Sequence, residues 1–263
     1  MKIAVLGGGN MGGAIASGIV ASGINDSSSM VVSHAREAYV NKIKSMGYTP
    51  ATTYDNIAAV KDAELIFIAV KPWKAADVIR EIIPHIDTEN VVIASVVAGM
   101  TFDDMGGIFK EMGRSVPSMY RVIPNTAIAL GESTTFISSY NTTAIQDGHM
   151  RDIFMALGKV FVVPEADMTA VTALSSCGIA YILKYIDAAV CGAVEMGLEK
   201  AEAQDMVMQT IRGALALLDT NASTPQEEID KVTTPGGITL KGLEEMERCG
   251  FTQSVINGLK ASK

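Results

Sequence analysis

A short apolar run, Ile3-Ala4-Val5-Leu6, stops at Gly7-Gly8-Gly9-Asn10-Met11-Gly12, and small residues at helical spacing follow as far as Ala21. A strand that ends in G-x-G-x-x-G and feeds a helix is the opening of a βαβ unit, and each glycine answers a separate steric demand. Gly7 permits a tight turn, Gly9 lets a bound group approach the backbone, and Gly12 lets helix and strand pack closely. The helix start then offers free N–H groups and a positive dipole end to a pyrophosphate. A glycine-rich turn that holds no ligand is the plainer alternative.

The first half of the chain repeats the alternation. Residues 30–33, 65–70 and 90–97 read as strands, and residues 37–46 (stopped by Gly47) and 75–83 read as helices. Strands apolar on both faces and separated by helices predict a parallel sheet covered on both sides. From about Asp167 onward the strand signal vanishes. Helices are predicted over 167–176, 178–196 (with Gly197 as its stop) and 199–220. Thr224-Pro225-Gln226-Glu227 is a capping-box start, and a last helix runs from about Thr239 to Gly250. The predicted fold class is therefore α/β: an N-terminal Rossmann-type, doubly wound parallel sheet over 1–164, then an all-α domain over 165–263. A helical domain of about 100 residues is marginal alone. Its apolar faces are expected to meet the first domain or a second subunit, with an internal bundle as the alternative.

Composition narrows the partners. Lys plus Arg number 21 against 29 Asp plus Glu, a formal charge of −8, and no Lys/Arg cluster interrupts that balance. A nucleic-acid partner is not expected, because phosphate neutralisation needs a basic face. The longest apolar stretch, 91–100, falls short of the ~20 residues that a bilayer requires. The N-terminal apolar run is shorter than the ~7–15 residues of a secretion signal. The expectation is a cytoplasmic protein that meets no membrane. Three cysteines without CxxC spacing (Cys177, Cys191, Cys249) predict neither a metal cage nor a disulfide framework. A packing thiol is the default for Cys177.

The second strand points to the nucleotide. An NAD site usually carries Asp or Glu about 20 residues beyond the glycines, to hold the ribose 2′-hydroxyl. Here the position reads Ser33-His34-Ala35-Arg36. No carboxylate repels a 2′-phosphate, Ser33 offers a donor, and Arg36 offers charge. This favours NADPH/NADP, with NADH as the less favoured alternative; a solvated first-turn role for Arg36 weighs equally. Ala69-Val70-Lys71-Pro72 closes a central strand at its carboxyl end, where ligands of open α/β sheets sit. Asn56 reads either as a contact or as a helix cap. In the second half, Thr233-Thr234-Pro235-Gly236-Gly237-Ile238-Thr239 is an exposed backbone loop. Its amides at Gly237, Ile238 and Thr239 suit a small carboxylate. Thr239 reads equally well as an N-cap.

These segments together resemble the pyrroline-5-carboxylate reductase family. The likeness covers nearly the whole chain. It rests on the Gly7–Gly12 loop, Asp55-Asn56, Ala69-Val70-Lys71-Pro72, Arg121-Val122-Ile123-Pro124-Asn125-Thr126, Ala173-Leu174-Ser175, Gly178, Ala180-Tyr181 and Pro235-Gly236-Gly237. The resemblance implies NADPH-dependent reduction of the cyclic imine 1-pyrroline-5-carboxylate to proline. It implies cofactor contacts from Leu6, Gly7, Gly9, Asn10, Met11 and Gly12, together with Ser33, Arg36 and Asn56 and with Ala69, Val70, Lys71 and Pro72. It places the substrate carboxylate on the loop from Thr234 through Gly237 and Ile238 to Thr239, and Thr239 beside the ring nitrogen as the catalytic residue. It also implies a site completed across a homodimer, with rings of dimers in some members.

The chain departs from the family pattern at Ser176, Cys177 and Ile179, where Gly, Ser and Pro are usual, at Ala127 for Pro, and at Ile238 for Thr. Two alternatives stand beside this reading. One is a dehydrogenase of the β-hydroxyacid type, but its catalytic Lys four residues after a Gly is here Ile182, four after Gly178. The other is a non-catalytic NADP-binding paralogue, supported by the altered second-half motifs.

Overall fold

The structure, a computed structural model, describes residues 1–45 and 51–263. The predicted stop of the second helix at Gly47 lies outside them. Contacts divide the chain into two compact units, Met1–Ser176 and Cys177–Lys263.

The first unit is built on eight strands: β1 (Ile3–Leu6), β2 (Met30–Ser33), β3 (Ala51–Thr53), β4 (Leu65–Ile68), β5 (Val92–Ser95), β6 (Ser118–Ile123), β7 (Ser133–Tyr140) and β8 (Gly158–Val162). Their order is β3-β2-β1-β4-β5-β6-β7-β8. Every pairing is parallel except β6 with β7. The doubly wound Rossmann-type sheet is as predicted, with one antiparallel pair added. Leu6 lies level with Ser33 on one side and Ile68 on the other, and Ile68 with Ser95. The four central strands thus end at one line, and the loops after them share one edge.

Helices α1 (Asn10–Ala21) and α2 (Glu37–Ser45) belong to one face, with α6 (Ala144–Met155). Their core includes Ile15, Ile19, Tyr39, Ile153 and Phe154. The other face carries α3 (Asn56–Val60), α4 (Pro72–Ile82) and α5 (Phe102–Glu111), packed through Ala59, Val78, Ile79, Ile82 and Phe109. With helices on both faces, all of β1 and β4 is buried, which is why their sequences run apolar without alternation.

Beyond β8 the chain is helical, as predicted. α7 (Met168–Val171) runs into a π-helical stretch, Thr172–Cys177, and then into α8 (Gly178–Glu195). α8 ends where Gly197 adopts φ +99°, with Leu198 N–H on Ala193 O (3.1 Å) and Gly197 N–H on Val194 O (2.9 Å), a Schellman closure. α9 (Lys200–Asn221), α10 (Pro225–Val232), α11 (Ile238–Arg248) and α12 (Phe251–Ala261) follow. The predicted capping box is present: Thr224 accepts from Glu227 N–H, and the Glu227 carboxylate accepts from Thr224. Gly250 (φ +82°), expected to end the last helix, is instead a turn between α11 and α12.

The helical run Glu165–Glu195, interrupted by polar residues in the sequence, is 31 residues long and includes a window apolar enough to cross a membrane by length and composition alone. Lys184 and Asp187 lie within it and pair at 3.6 Å. Only 11% of that window is buried. The second unit has one small buried cluster, Val190, Ala193 and Ala203. Ile182, Leu183, Met206, Leu215 and Val255 are exposed around it. Cys177, expected to be a buried thiol, is half-buried.

Candidate functional site

The turn after β1 is held by its neighbours on both sides. Gly7 has φ +103°, a conformation that only glycine enters freely. A Cβ at Gly7 would lie 2.7 Å from Ala69 O, and one at Gly12 would lie 2.1 Å from Gly7 O. A Cβ at Gly9 would meet nothing within 4 Å. Two glycines therefore shape the turn, and the third leaves space over it. Gly8, which the motif treats as variable, is equally constrained: its Cβ would stand 2.4 Å from Ala35 Cα.

α1 begins without a side-chain cap and with no acidic residue in its first turn. Gly9 O accepts from Gly13 N–H at 2.8 Å, so the amides of Asn10, Met11 and Gly12 have no intrahelical acceptor. Open space over Gly9 and a row of unspent donors fit a dinucleotide pyrophosphate. Ala69 N–H donates to Leu6 O (2.8 Å), which seats the Ala69-Val70 backbone beside this turn. Lys71 is the exposed N-cap of α4 and Pro72 its first residue.

The residues after β2 divide. Arg36 is exposed and donates from Nη1 to Asn10 Oδ1 at 2.9 Å, across the mouth between α2 and α1. Ser33 is fully buried. Its hydroxyl accepts from Gly7 N–H (3.3 Å) and donates to Asn56 Oδ1 (2.7 Å), while Asn56 Nδ2 donates to Glu81 Oε2 (2.8 Å). Asn56 is not the cap of α3; Asp55 is, accepting from Ile57 and Ala58 N–H. Ser33, expected to face a 2′-phosphate, thus stands beneath the glycine turn, with Asn56 behind it. His34 holds φ +50° and meets Tyr54 edge-on at 5.8 Å.

Two further motif segments meet in this unit. Asn125 Nδ2 donates to Ser175 Oγ (3.3 Å), and Ser176 Oγ donates to Pro124 O (2.8 Å), so the π-helical stretch is stitched to the loop after β6. Nearby in sequence, Arg121, 7% exposed at its side chain, pairs with Glu165 at 2.9 Å. Glu165 also accepts from Phe102 N–H (2.7 Å) at the start of α5. In the sequence Arg121 stands without an evident partner. A buried arginine in a strand demands an acid, but nothing local points to one 44 residues away.

In the second unit, Thr234-Pro235-Gly236-Gly237 is a β-turn closed by Gly237 N–H on Thr234 O at 2.8 Å, with Gly236 at φ +74°. Pro then positive-φ Gly at its centre is the type II signature. A Cβ at Gly237 would fall 2.6 Å from Thr234 Oγ1. Gly237 is the N-cap of α11, so the amides free for an anion are those of Ile238, Thr239 and Leu240. Gly237 N–H, expected among the donors, is used by the turn. Thr239 is the second residue of the helix rather than its cap, and it is exposed. Ile238 is 88% exposed.

Among the described residues no group of three His, Cys, Asp or Glu is placed to hold a metal ion.

Comparison with known proteins gives the following likenesses. Residues 165–263 match the family profile described as pyrroline-5-carboxylate reductase dimerisation, and residues 2–99 match one described as NADP oxidoreductase, coenzyme F420-dependent. Pyrroline-5-carboxylate reductase 2 of Dictyostelium discoideum is 33% identical over 99% of this chain and 90% of its own length. Pyrroline-5-carboxylate reductase 1 of the same organism is 36% identical over 99% of this chain, which spans about half of that protein (48%). Among solved structures, Plasmodium falciparum pyrroline carboxylate reductase with NADP bound superposes with a TM-score of 0.89 at 27% identity, covering 100% of this chain and 95% of that one.

Proposed function

The chain belongs to the pyrroline-5-carboxylate reductase family, and we propose that it reduces 1-pyrroline-5-carboxylate to L-proline with NADPH, the last step of proline biosynthesis. The observation that carries this reading is the pairing, within one chain, of two backbone cradles of different size. One is the uncapped start of α1 over an open Gly9, suited to a pyrophosphate. The other is the Thr234–Gly237 turn before α11, suited to one carboxylate.

Leu6, Gly7, Gly9, Asn10, Met11 and Gly12 supply the pyrophosphate cradle. Arg36 supplies charge for the 2′-phosphate, and Ala69, Val70, Lys71 and Pro72 line the neighbouring edge. Ser33 and Asn56 serve this cradle from below. When bound, the reduced nicotinamide supplies the hydride that the imine carbon accepts.

Ile238 and Thr239 amides hold the substrate carboxylate, with Thr234 and Gly237 fixing the turn. Reduction of C=N needs a proton on nitrogen as well as a hydride on carbon, and a protonated imine is much the better acceptor. A threonine hydroxyl is too weak an acid to give that proton freely at neutral pH. Thr239 therefore orients the nitrogen and relays to it a proton taken from solvent water, while positioning and backbone dipoles supply most of the rate. The loop from Thr233 to Thr239 contains no His, Cys or Lys that would do otherwise.

The apolar helical surfaces of the second unit are proposed to be covered by a second copy, as a homodimer or a ring of dimers. On this reading the apolar run Glu165–Glu195 serves association and not a bilayer, and the protein works in the cytoplasm. The boundary at residue 165, where the dimerisation profile begins, is proposed as the functional one. The test is NADPH consumption with pyrroline-5-carboxylate, with proline identified as product; NADPH binding without turnover across small cyclic imines would favour the paralogue reading.

A further inference from the structure

We infer that Glu81, on α4 and outside the glycine loop, is a positioning residue that fixes the hydrogen-bond polarity under Gly7. The inference rests on reading Gly7–Gly12 as a dinucleotide cradle.

Three hydrogen bonds run in series from Glu81 to the turn: Asn56 Nδ2 to Glu81 Oε2 at 2.8 Å, Ser33 Oγ to Asn56 Oδ1 at 2.7 Å, and Gly7 N to Ser33 Oγ at 3.3 Å. An amide side chain has an accepting end and a donating end, and a hydroxyl does both, so Asn56 and Ser33 each fit two ways round. An ionised carboxylate only accepts. Glu81 therefore selects one arrangement: Asn56 turns its NH2 outward and its carbonyl toward Ser33. Ser33 must then donate to Asn56, which leaves its lone pairs facing Gly7 N–H.

Without Glu81 the two orientations of Asn56 lose their distinction. In the reversed one, Asn56 Nδ2 faces Ser33 and the serine proton turns toward Gly7 N–H, which loses one of its two acceptors and keeps only the Ser33 carbonyl oxygen at 3.3 Å. Ser33 is fully buried and Asn56 is 6% exposed, so water does not repair the mismatch cheaply. The damage falls on the glycine turn, which is shared by every dinucleotide whatever its 2′ substituent.

Simple charge makes the opposite forecast. The protein carries −8 and the dinucleotides are anionic, so removing Glu81, or replacing it by a cation, would strengthen binding by attraction alone. The polarity account requires weaker binding instead.

The experiment is titration calorimetry of the full chain with NADPH and with NADH, comparing Glu81→Gln, Glu81→Ala and Glu81→Lys. Gln keeps an acceptor and is expected within about twofold of wild type. Ala is expected to weaken both dinucleotides about five- to tenfold, the scale of one hydrogen bond lost from a network. Lys, which donates where Glu accepts, is expected to be weaker still. Ser33→Ala and the Ser33→Ala/Glu81→Ala pair complete a cycle in which the second change adds little to the first. Ala and Lys variants that bind as tightly as wild type or tighter, a loss confined to one dinucleotide, or an additive cycle would each overturn the inference while leaving the cradle reading intact. A wild-type chain that binds neither dinucleotide would overturn both.

Discussion

The Ser33 hydroxyl gives its single proton to Asn56 across 2.7 Å, at the level where β2 ends beside β1. That single direction decides what the neighbouring residues are left to do. With Ser33 buried beneath the turn, Arg36 is the residue of Ser33–Arg36 that combines a positive charge with exposure.

Arg36→Glu is expected to raise KM for NADPH by about ten- to a hundredfold, the worth of a charge-assisted contact, and to affect NADH much less. Steady-state kinetics with both cofactors measure this. Equal losses would remove the phosphate role from Arg36.

Gly9 and Gly12 separate binding from folding. Gly9→Ala places its methyl in open space above the loop, so the thermal midpoint should shift little while dinucleotide binding falls at least tenfold. Gly12→Ala drives a methyl to 2.1 Å from Gly7 O, so it should destabilise the fold by about 2–3 kcal/mol and lose binding as well. Denaturant melts and calorimetry on the two variants would distinguish these outcomes.

Thr239→Val keeps shape and removes the hydroxyl. The side chain is exposed on α11, so the fold should be unaffected. Turnover at saturating imine should drop about tenfold or more, on the scale of a lost proton-transfer partner. Full turnover in the variant would show that the hydroxyl has no part in the chemistry.

Glu165→Ala leaves Arg121 buried without its carboxylate and strips the acceptor from Phe102 N–H. The expected loss is about 1–3 kcal/mol, the scale of a buried charged group losing its hydrogen-bond partner, since Glu165 itself is 35% exposed at its side chain. Urea unfolding is the measurement, and a loss below about 1 kcal/mol would place the pair effectively in solvent.

Burial pushes the Tyr39 phenol up to about 12, and its buried hydroxyl has no hydrogen-bond partner among the described residues. Above its ordinary value of 10 the unfolded chain releases this proton while the folded one keeps it, so the unfolded state is favoured as pH rises. The loss begins near pH 10 and levels off near 12, reaching about 2–3 kcal/mol. Tyr39→Phe should abolish that component and cost almost nothing at neutral pH, where an unpaired hydroxyl contributes little. Urea unfolding of both proteins at pH 8 and 11 is the comparison.

The parts of the fold legible in the sequence were those whose burial is one-sided or complete. β1, β2 and β4 lie in the sheet centre and read as plain apolar runs, and Gly197 marks the end of α8 because a left-handed closure needs it. β6 and β7 are not legible as strands. β7 carries Ser133, Thr134, Thr135, Ser138 and Ser139, and its antiparallel pairing with β6 tolerates polar residues that a parallel centre does not. β3 is three residues long and mostly exposed, and α12 was lost because Gly250 looked like an end and is a bend.

At the site, the glycine spacing and the Thr234–Thr239 loop were readable as local backbone geometry. Glu81 and Glu165 were not, because their partners are 25 and 44 residues away and the residue types alone are ordinary surface acids. Ser33 was read as a ligand donor because its position at the end of β2 is visible in sequence, whereas the direction of its hydroxyl depends on Asn56.

The most direct test is to follow NADPH absorbance with the full chain and 1-pyrroline-5-carboxylate while proline is quantified. The account predicts one proline formed for each NADPH consumed. NADPH bound tightly, with neither consumed cofactor nor proline, would contradict it.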